Sequence, residues 1–205
     1  MTSKKFIIAG IGTEVGKTVV SAIVTQKLKA DYWKPVQAGD LHDSDTLKVT
    51  RWVTNTKTKF HPEAYQLSEP MSPHAAADKD GVHIAIKDFT VPRTDNHLII
   101  ELAGGILVPL NHKDTNIDLI QHLSFPVILV INFYLGSINH TLLSIEILKS
   151  RKIKIEGLLF NGDVNPDSKQ VILEMTGCTD LGSIPKIEQH INSQVIDSHG
   201  RFLNI

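Results

Sequence analysis

The chain has 205 residues, of which 41% are hydrophobic and 21% charged, a composition typical of a globular protein with one domain, predicted here to comprise residues 1–205. Its 21 lysines and arginines nearly balance its 22 acidic residues, which gives a net charge of −1. Because nonspecific binding of nucleic acid requires excess positive charge, this balance indicates that nucleic acid is not a partner. The single cysteine excludes an intrachain disulfide and a CxxC zinc cage, and the longest apolar run, 126–131, is far too short to span a bilayer.

The chain begins with a basic and then apolar stretch, which runs directly into a glycine loop. Its apolar part is too short for a signal peptide, so it is interpreted as the first strand, at 6–9. With no leader and no membrane span expected, the protein is predicted to be cytoplasmic and to have no membrane partner.

Short β-branched apolar runs recur along the chain, each ending in a polar or glycine-rich turn. Because they are apolar on both faces, they predict buried strands of a parallel sheet. The predicted strands are 6–9, 32–33, 98–101, 127–132, 155–161 and 181–184. Helical spacing of apolar residues predicts helices at 17–30 and 139–150, the second covered on more than one side. This alternation predicts an α/β fold, with a doubly wound, mostly parallel sheet and helices on both faces.

The segment 50–93 departs from this alternation, since it carries four prolines and few long apolar runs. It is interpreted as one or two helices and a long ordered connection over the strand ends. No internal repeat, low-complexity tract or domain linker stands out in the sequence.

The most informative segment is GIGTEVGKT at residues 10–18, which follows a predicted strand and opens a predicted helix. In a phosphate-binding loop, glycines let backbone N–H groups point at phosphate oxygens, and the helix N-terminus adds its partial positive charge. Lys17 is then expected to reach the terminal phosphates and Thr18 to bind Mg²⁺. The strict pattern requires glycine at the position of Ile11, and the alternative interpretation is a glycine turn with both side chains solvated.

Glu101 ends the predicted strand at 98–101, just before the glycines at 104–105. A carboxylate at the end of a buried strand is costly unless it is paired or bound to a metal. The position is similar to that of a Walker B acid, which makes Glu101 a candidate Mg²⁺ ligand.

An ordered set of short motifs resembles the dethiobiotin synthetase family. In chain order, these motifs are GIGTEVGKT (10–18), KPVQAG (34–39), SD (44–45), EPMSPH (69–74), ELAGG (101–105), LGSINHT (135–141) and GSIP (182–185). Each short motif alone is weak evidence for the family, but the ordered set spans most of the chain and is specific for it. The resemblance implies a P-loop NTPase-like fold and an ATP-dependent ring closure. In that reaction 7,8-diaminononanoate takes up CO₂ as a carbamate, ATP phosphorylates the carbamate, and the second amine attacks to give dethiobiotin.

The resemblance also implies a role for each matching residue. The implied catalytic residues are Lys34, Lys17 and Thr13. The implied ATP-binding residues are Glu14, Val15, Gly16, Lys17, Thr18, Val19, Glu101, Ala103, Gly104, Asn161, Pro185, Lys186 and Ile187. The implied substrate-binding residues are Lys34, Ala38, Gly105 and Asn139, and the implied Mg²⁺ ligands are Thr18, Asp45 and Glu101. Two lysines and Mg²⁺ would offset the repulsion that arises when an anionic carbamate is phosphorylated.

Simpler interpretations of several of these residues remain open. Asp45 is also suited to be an acid at a helix N-terminus, and Asn161 to be a turn residue at a strand end. In the family, substrate binds at a homodimer interface, with the turn at 135–141 contributed by the neighbouring subunit. In that turn, Asn139 or His140 is equally suited to cap a helix.

The chain departs from the family's motifs at several positions. The loop carries Gly12 in place of an aspartate, and Ala38 stands where a hydroxyl residue is usual. Leu102 replaces a glycine, and Gly162 follows Asn161 where the family often has aspartate. Ala38 and Leu102 bear on substrate positioning more than on ATP, and the predicted outcome is a reduced affinity for the diamine.

Other functions are compatible with a phosphate loop of this kind. A nucleotide-dependent switch ATPase of the partition or septum-site type typically carries a further lysine early in its loop, where this chain has Ile11 or Gly12. An amide-forming synthetase of the same fold needs a glutaminase domain with a catalytic cysteine, whereas the chain has only Cys178. A binding module without catalysis does not explain a phosphate loop together with candidate Mg²⁺ ligands.

Overall fold

The structure is a computed structural model that describes residues 3–205. Met1 and Thr2, which open the N-terminal stretch considered above, lie outside the described residues. The strands in this range are β1 (Lys5–Gly10), β2 (Asp31–Trp33), β3 (Val36–Ala38), β4 (Phe60–His61), β5 (Tyr65–Leu67), β6 (Leu98–Gly105), β7 (Val127–Asn132), β8 (Ile155–Asn161) and β9 (Asp180–Ile184). The α-helices are α1 (Lys17–Leu28), α2 (Asp45–Trp52), α3 (Pro73–Asp80), α4 (Asn116–Leu123), α5 (Ser137–Ser150), α6 (Pro166–Thr176) and α7 (Ser193–His199).

Seven of these strands form one parallel sheet in the order β4-β2-β6-β1-β7-β8-β9, and β3 pairs with β5 in a separate parallel pair. Consecutive residues in the middle of β1, β7 and β8 are all buried, so both faces of the sheet are covered. Strands buried on both faces between crossover helices define a doubly wound sheet. The predicted α/β fold and the six predicted strands are confirmed, each within a few residues.

The segment 50–93 contains more strand than expected. It holds the end of α2, the whole of α3 and the short strands β4 and β5, of which β4 forms an edge of the central sheet. β4 and β5, with two and three residues, are too short to show an apolar alternation, so the sequence pattern does not reveal them.

The helix expected at 139–150 begins earlier, at Ser137, and Gly136 is its N-cap residue. The alternative that Asn139 or His140 caps this helix is therefore wrong, because both lie exposed in its first turns. The expectation that α5 is covered on more than one side is also wrong within one chain. Its buried residues form a single stripe, and Leu143 is 61% exposed. Helix α1 ends at Leu28 rather than at residue 30, because Lys29 adopts a left-handed conformation.

The strand order brings the informative segments to one edge of the sheet. β1 lies between β6 and β7, and Gly10 at the end of β1 pairs with Gly105 at the end of β6. β2 pairs with β6 on the other side, so Lys34 follows its strand at this same edge. Parallel strands end at a common edge, which is where α/β proteins bind their ligands. None of the helices within residues 3–205 combines the length and apolarity that a bilayer crossing requires.

Candidate active site at the carboxyl edge of the sheet

The loop between β1 and α1 wraps around the side chain of Lys17. Gly16 takes a left-handed conformation with φ of 88° at the start of α1, and the Lys17 ammonium donates to the carbonyl oxygen of Gly12 at 2.9 Å. Burial lowers the pKa of Lys17 to about 8, because a charged ammonium is disfavoured away from water. The interpretation of Lys17 as a solvated side chain is therefore wrong, since it is only 7% exposed.

Glu101 is a fully buried carboxylate near the middle of β6, and three side chains donate hydrogen bonds to it. Its Oε1 accepts from the Thr18 hydroxyl at 2.9 Å and from the Lys34 ammonium at 3.1 Å. Its Oε2 accepts from the Tyr32 hydroxyl at 2.8 Å. These bonds satisfy a charge that would otherwise be costly to bury, and they join the phosphate loop to β2 and β6.

Lys34 links Glu101 to Asp45. Its ammonium is bonded to Asp45 Oδ2 as well as to Glu101, and the residue is 4% exposed. Burial opposes the charge of Lys34, but the carboxylates of Glu101 and Asp45 outweigh it and raise the pKa of Lys34 above its ordinary value. Burial likewise opposes the charge of Asp45, and the Lys34 ammonium holds the pKa of Asp45 below its ordinary value.

Asp45 also has the position that its simpler interpretation predicts. It is the first residue of α2, which Ser44 caps by accepting the backbone N–H of Leu47 at 3.2 Å. The two interpretations are therefore compatible, because the start of this helix directs Asp45 toward Lys34.

The donor set around Lys34 fits a magnesium ion. The carboxylates of Asp45 and Glu101 both form ion pairs with the Lys34 ammonium, and the Thr18 hydroxyl donates to Glu101. Mg²⁺ takes oxygen ligands, typically one or two carboxylates together with phosphate and water oxygens. Within residues 3–205, no group of three or more His, Cys, Asp or Glu side chains is arranged to hold a metal. A site of this kind therefore depends on phosphate oxygens to complete it.

Two cavities flank the phosphate loop. The first, of about 440 Å³, opens beside Lys34 and Asp45. Of the predicted site residues, its lining also includes Thr13, Glu14, Ala38, Ala103 and Gly104. The second, of about 300 Å³, lies on the other side of the loop, and its lining includes Val19, Asn161, Lys186 and Ile187. The Asn161 amide donates to the carbonyl of Val15 at 3.0 Å, which ties this second cavity to the loop.

Eight predicted site residues line neither cavity. Five of them belong to the phosphate loop, the start of α1 and the buried carboxylate already described: Val15, Gly16, Lys17, Thr18 and Glu101. The other three are Pro185, Gly105 and Asn139. Pro185 is exposed and precedes the two lining residues of the smaller cavity. Gly105 lines a third cavity, which is apolar and measures about 550 Å³, and packs closely against the backbone of Gly12. Asn139 is exposed on α5 and lines none of these three cavities.

The departures from the family motifs have different surroundings. Leu102 is 2% exposed and Ile11 is 9% exposed, and both pack in the apolar core. Leu102 is therefore placed to affect packing rather than substrate. Ala38 lines the 440 Å³ cavity, where a missing hydroxyl would act directly.

Sequence reasoning missed Tyr32 and Asn132. Asn132 ends β7, is the register partner of Asn161, and lines the 300 Å³ cavity. A signal for Tyr32 was present, because residues two apart in a strand share a face and Tyr32 stands two residues before Lys34.

Comparisons with known proteins agree with the motifs. A family model described as an AAA domain matches residues 4–194. The ATP-dependent dethiobiotin synthetase BioD of Christiangramia forsetii is 50% identical over 196 residues, which cover 96% of this chain and 94% of that protein. The ATP-dependent dethiobiotin synthetase BioD of Cytophaga hutchinsonii is 47% identical over 197 residues, covering 96% of this chain and 95% of that protein.

Solved structures share the fold at much lower identity. A plasmid partition protein from Borrelia burgdorferi, bound to AMPPNP, has a TM-score of 0.57 at 13% identity and covers 98% of this chain and 97% of its own. The MinC:MinD cell division protein complex of Aquifex aeolicus has a TM-score of 0.56 at 14% identity, and the match covers 97% of this chain and 94% of that chain. These likenesses show the P-loop NTPase fold alone, whereas 50% identity over nearly the whole length shows the family. The chain therefore belongs to the ATP-dependent dethiobiotin synthetases, a family of ligases in biotin biosynthesis.

Proposed function

We propose that this protein uses ATP and Mg²⁺ to carboxylate 7,8-diaminononanoate with CO₂ and to close the ring of dethiobiotin, releasing ADP and phosphate. The observation that carries the proposal is the position of Lys34. Its buried ammonium lies between Glu101 and Asp45, contacts the phosphate-loop side of the site through Glu101, and faces the 440 Å³ cavity. A phosphate group and an anionic carbamate would both come within reach of this charge.

The charges in the site suit the joining of two anions. Lys17 would bind the terminal phosphates, and Lys34 would hold the carbamate against the γ-phosphate, with Thr13 at the mouth of the same cavity. Thr18, Asp45 and Glu101 would hold Mg²⁺, which when bound supplies positive charge to the phosphate oxygens. After phosphoryl transfer, the second amine would attack the activated carbamate carbon and expel phosphate.

The 300 Å³ cavity is the proposed site for the adenine base. Asn161 donates its amide nitrogen to Val15, so the position of its side chain is held by the loop. The amide oxygen is then available to accept from the amino group of adenine, whereas guanine presents a carbonyl oxygen at the corresponding atom. Lys186 and Ile187 would line the other side of the ring, with Pro185 directly before them in the chain, and Val19 is also part of the cavity lining.

A homodimer is proposed for the substrate-bound protein. The apolar cavity of about 550 Å³ beside Gly105 is lined by Tyr134 and Leu143, which are 43% and 61% exposed in one chain. A second copy packed on this face would cover them, and it would bring the N-terminus of its α5, with Asn139, toward the tail carboxylate of the diamine. We also propose that residues 1–205 act as one domain, and the cytoplasmic location stays a prediction.

The proposed reaction is tested by phosphate release with ATP, Mg²⁺ and bicarbonate, with and without 7,8-diaminononanoate, together with detection of dethiobiotin by mass spectrometry. Phosphate release is expected to require both the diamine and bicarbonate. Release at the same rate without the diamine would contradict the proposal and would favour a nucleotide switch.

The low pKa of Lys17 predicts a pH dependence of nucleotide affinity. Because the pKa of Lys17 is about 8 in this structure, the ammonium needed for phosphate binding is present below that pH and is lost as pH rises through it. The dissociation constant for ATP, measured by calorimetry between pH 6.5 and 9.5, is expected to rise above about pH 8. Lys17→Arg, whose guanidinium stays charged, is expected to lack this rise, and an identical pH profile in both proteins would contradict the prediction.

Restoring the hydroxyl that is usual in the family at position 38 is expected to increase the affinity for the diamine. Ala38→Ser adds a hydrogen-bonding group to the cavity beside Lys34, and we expect the apparent KM for the diamine to fall several-fold, by roughly the effect of one hydrogen bond. The KM for ATP serves as the internal control and is expected to stay the same. An unchanged KM for the diamine would show that the hydroxyl is dispensable here.

A further inference from the structure

Tyr32 is a buried polar residue of the site to which neither the family motifs nor the proposed reaction gives a role. Its side chain is 0% exposed, and its hydroxyl donates to Glu101 Oε2 at 2.8 Å. Glu101 is also 0% exposed, so this hydrogen bond lies out of contact with water. A charged hydrogen bond in such surroundings is stronger and more directional than one in solvent.

The two oxygens of the Glu101 carboxylate have different partners. Oε1 accepts from Thr18, at the start of α1, and from Lys34, which lines the 440 Å³ cavity. Oε2 accepts one hydrogen bond from the described side chains, and its donor is the Tyr32 hydroxyl. Held at Oε1 alone, the carboxylate would be free to turn about its last bond. The bond at Oε2 fixes its plane and keeps Oε1 directed toward Thr18.

Tyr32 is held between the strands on either side of β2. In the pairing of β2 with β6, Tyr32 is the register partner of Ile99, and Glu101 lies two residues further along β6 on the same face. The Tyr32 ring also packs on Phe60 of the edge strand β4, with ring centroids 6.4 Å apart. The hydroxyl is therefore positioned by three adjacent strands rather than by a loop.

We infer that Tyr32 is a positioning residue that orients the Glu101 carboxylate for Mg²⁺. This inference rests on the Mg²⁺ role that the proposed function gives to Glu101. Residues that hydrogen-bond a metal ligand fix its orientation and tune its affinity, and their loss typically weakens metal binding 10- to 100-fold. Tyr32 acts on the metal through Glu101 and touches no reacting atom.

The test is a Mg²⁺ titration of the binding of fluorescent N-methylanthraniloyl-ADP to wild type and Tyr32→Phe. The phenylalanine keeps the ring packing and removes only the donor. The Mg²⁺ concentration that gives half of the Mg²⁺-dependent increase in affinity is expected to rise about 10-fold, while the affinity measured in EDTA stays the same. Tyr65→Phe is the matched control, since its hydroxyl donates to Asp88 at 3.0 Å outside the site, and its midpoint is expected to match wild type.

Two further proteins separate the inference from the proposed function. Glu101→Gln is expected to raise the Mg²⁺ midpoint by itself, and adding Tyr32→Phe to it is expected to produce no further 10-fold rise, because the tyrosine acts through the carboxylate. A wild-type midpoint in Tyr32→Phe, with only a lowered unfolding temperature, overturns the inference and leaves Tyr32 a packing role. A wild-type midpoint in Glu101→Gln overturns the Mg²⁺ assignment of Glu101 itself, and the inference with it.

Discussion

Replacing Lys34 with alanine is expected to lower kcat for dethiobiotin formation about 1000-fold, while ATP affinity stays within a few-fold of wild type. In the proposed reaction, phosphorylation brings the γ-phosphate and a carbamate together, and both are anions. Lys34 is the ammonium at the cavity side of the site, where its neighbours Glu101 and Asp45 are negative. Without it, the two carboxylates would add to the repulsion between the reacting groups. Lys17 remains in the phosphate loop, so nucleotide binding is expected to persist.

The measurement is steady-state kcat and the KM of each substrate, with ATP affinity from calorimetry. Lys48→Ala is the matched control, because the Lys48 ammonium lies 3.9 Å from the other oxygen of Asp45 but outside the cavity lining. It removes one positive charge beside the same carboxylate and is expected to keep nearly full kcat. An equal loss of kcat in both variants would show that the charge of Asp45, not delivery of an ammonium to the carbamate, limits the reaction.

Lys34→Ala also leaves the buried Glu101 and the partly buried Asp45 without their common counter-charge, so a lower unfolding temperature is expected. The measurement of ATP affinity therefore also serves as a control, because it reports whether the site is still folded in the variant. Near wild-type turnover by a folded Lys34→Ala protein would refute the catalytic role of Lys34.

The central sheet was predictable because its longer strands carry apolar residues on both faces. β7, for example, is a continuous apolar run that ends in asparagine, and β8 closes with the apolar residues 158–160 before its own asparagine. The short strands were not predictable, since β3 and β5 have three residues each and are strands only because they pair with one another. Helix α6 was also not identified, because Ile172 is the one residue it buries and its apolar stripe is weak.

The site was predictable where a residue's chemistry and its place in a motif agreed. Thr18, Lys34, Asp45 and Glu101 were predicted from separate motifs, and the structure brings them into one hydrogen-bonded group. The spacing of Tyr32 and Lys34 was a signal that the two share a face, but the bond from Tyr32 to Glu101 could not be predicted, because it joins residues 69 positions apart and depends on the register of β2 against β6. The register between two strands is set when the sheet forms, so neither strand's sequence predicts it alone.

Replacing Gly16 with alanine is expected to lower ATP affinity about 100-fold, because a small displacement in a binding loop is costly. Gly16 has a φ of +88°, where a side chain costs about 1 kcal/mol or more. An added Cβ would also lie 2.1 Å from the amide nitrogen of Asn161, so this side chain would have to move. Moving it breaks the bond from Asn161 to the Val15 carbonyl, which ties the loop to the 300 Å³ cavity. Calorimetry with ATP and the unfolding free energy measure the two effects.

Gly177→Ala separates backbone strain from the collision with Asn161. Gly177 ends α6 with a φ of +64°, and nothing lies within 4 Å of an added Cβ, so alanine there is expected to cost about 1 kcal/mol of stability and no ATP affinity. If Gly16→Ala loses stability to the same extent and keeps wild-type ATP affinity, strain alone accounts for it and the tie through Asn161 is not needed for binding. If instead ATP affinity falls only in Gly16→Ala, the cause lies in the contact with Asn161. In an Asn161→Ala background, where that contact is gone, Gly16→Ala should then reduce stability by no more than Gly177→Ala does.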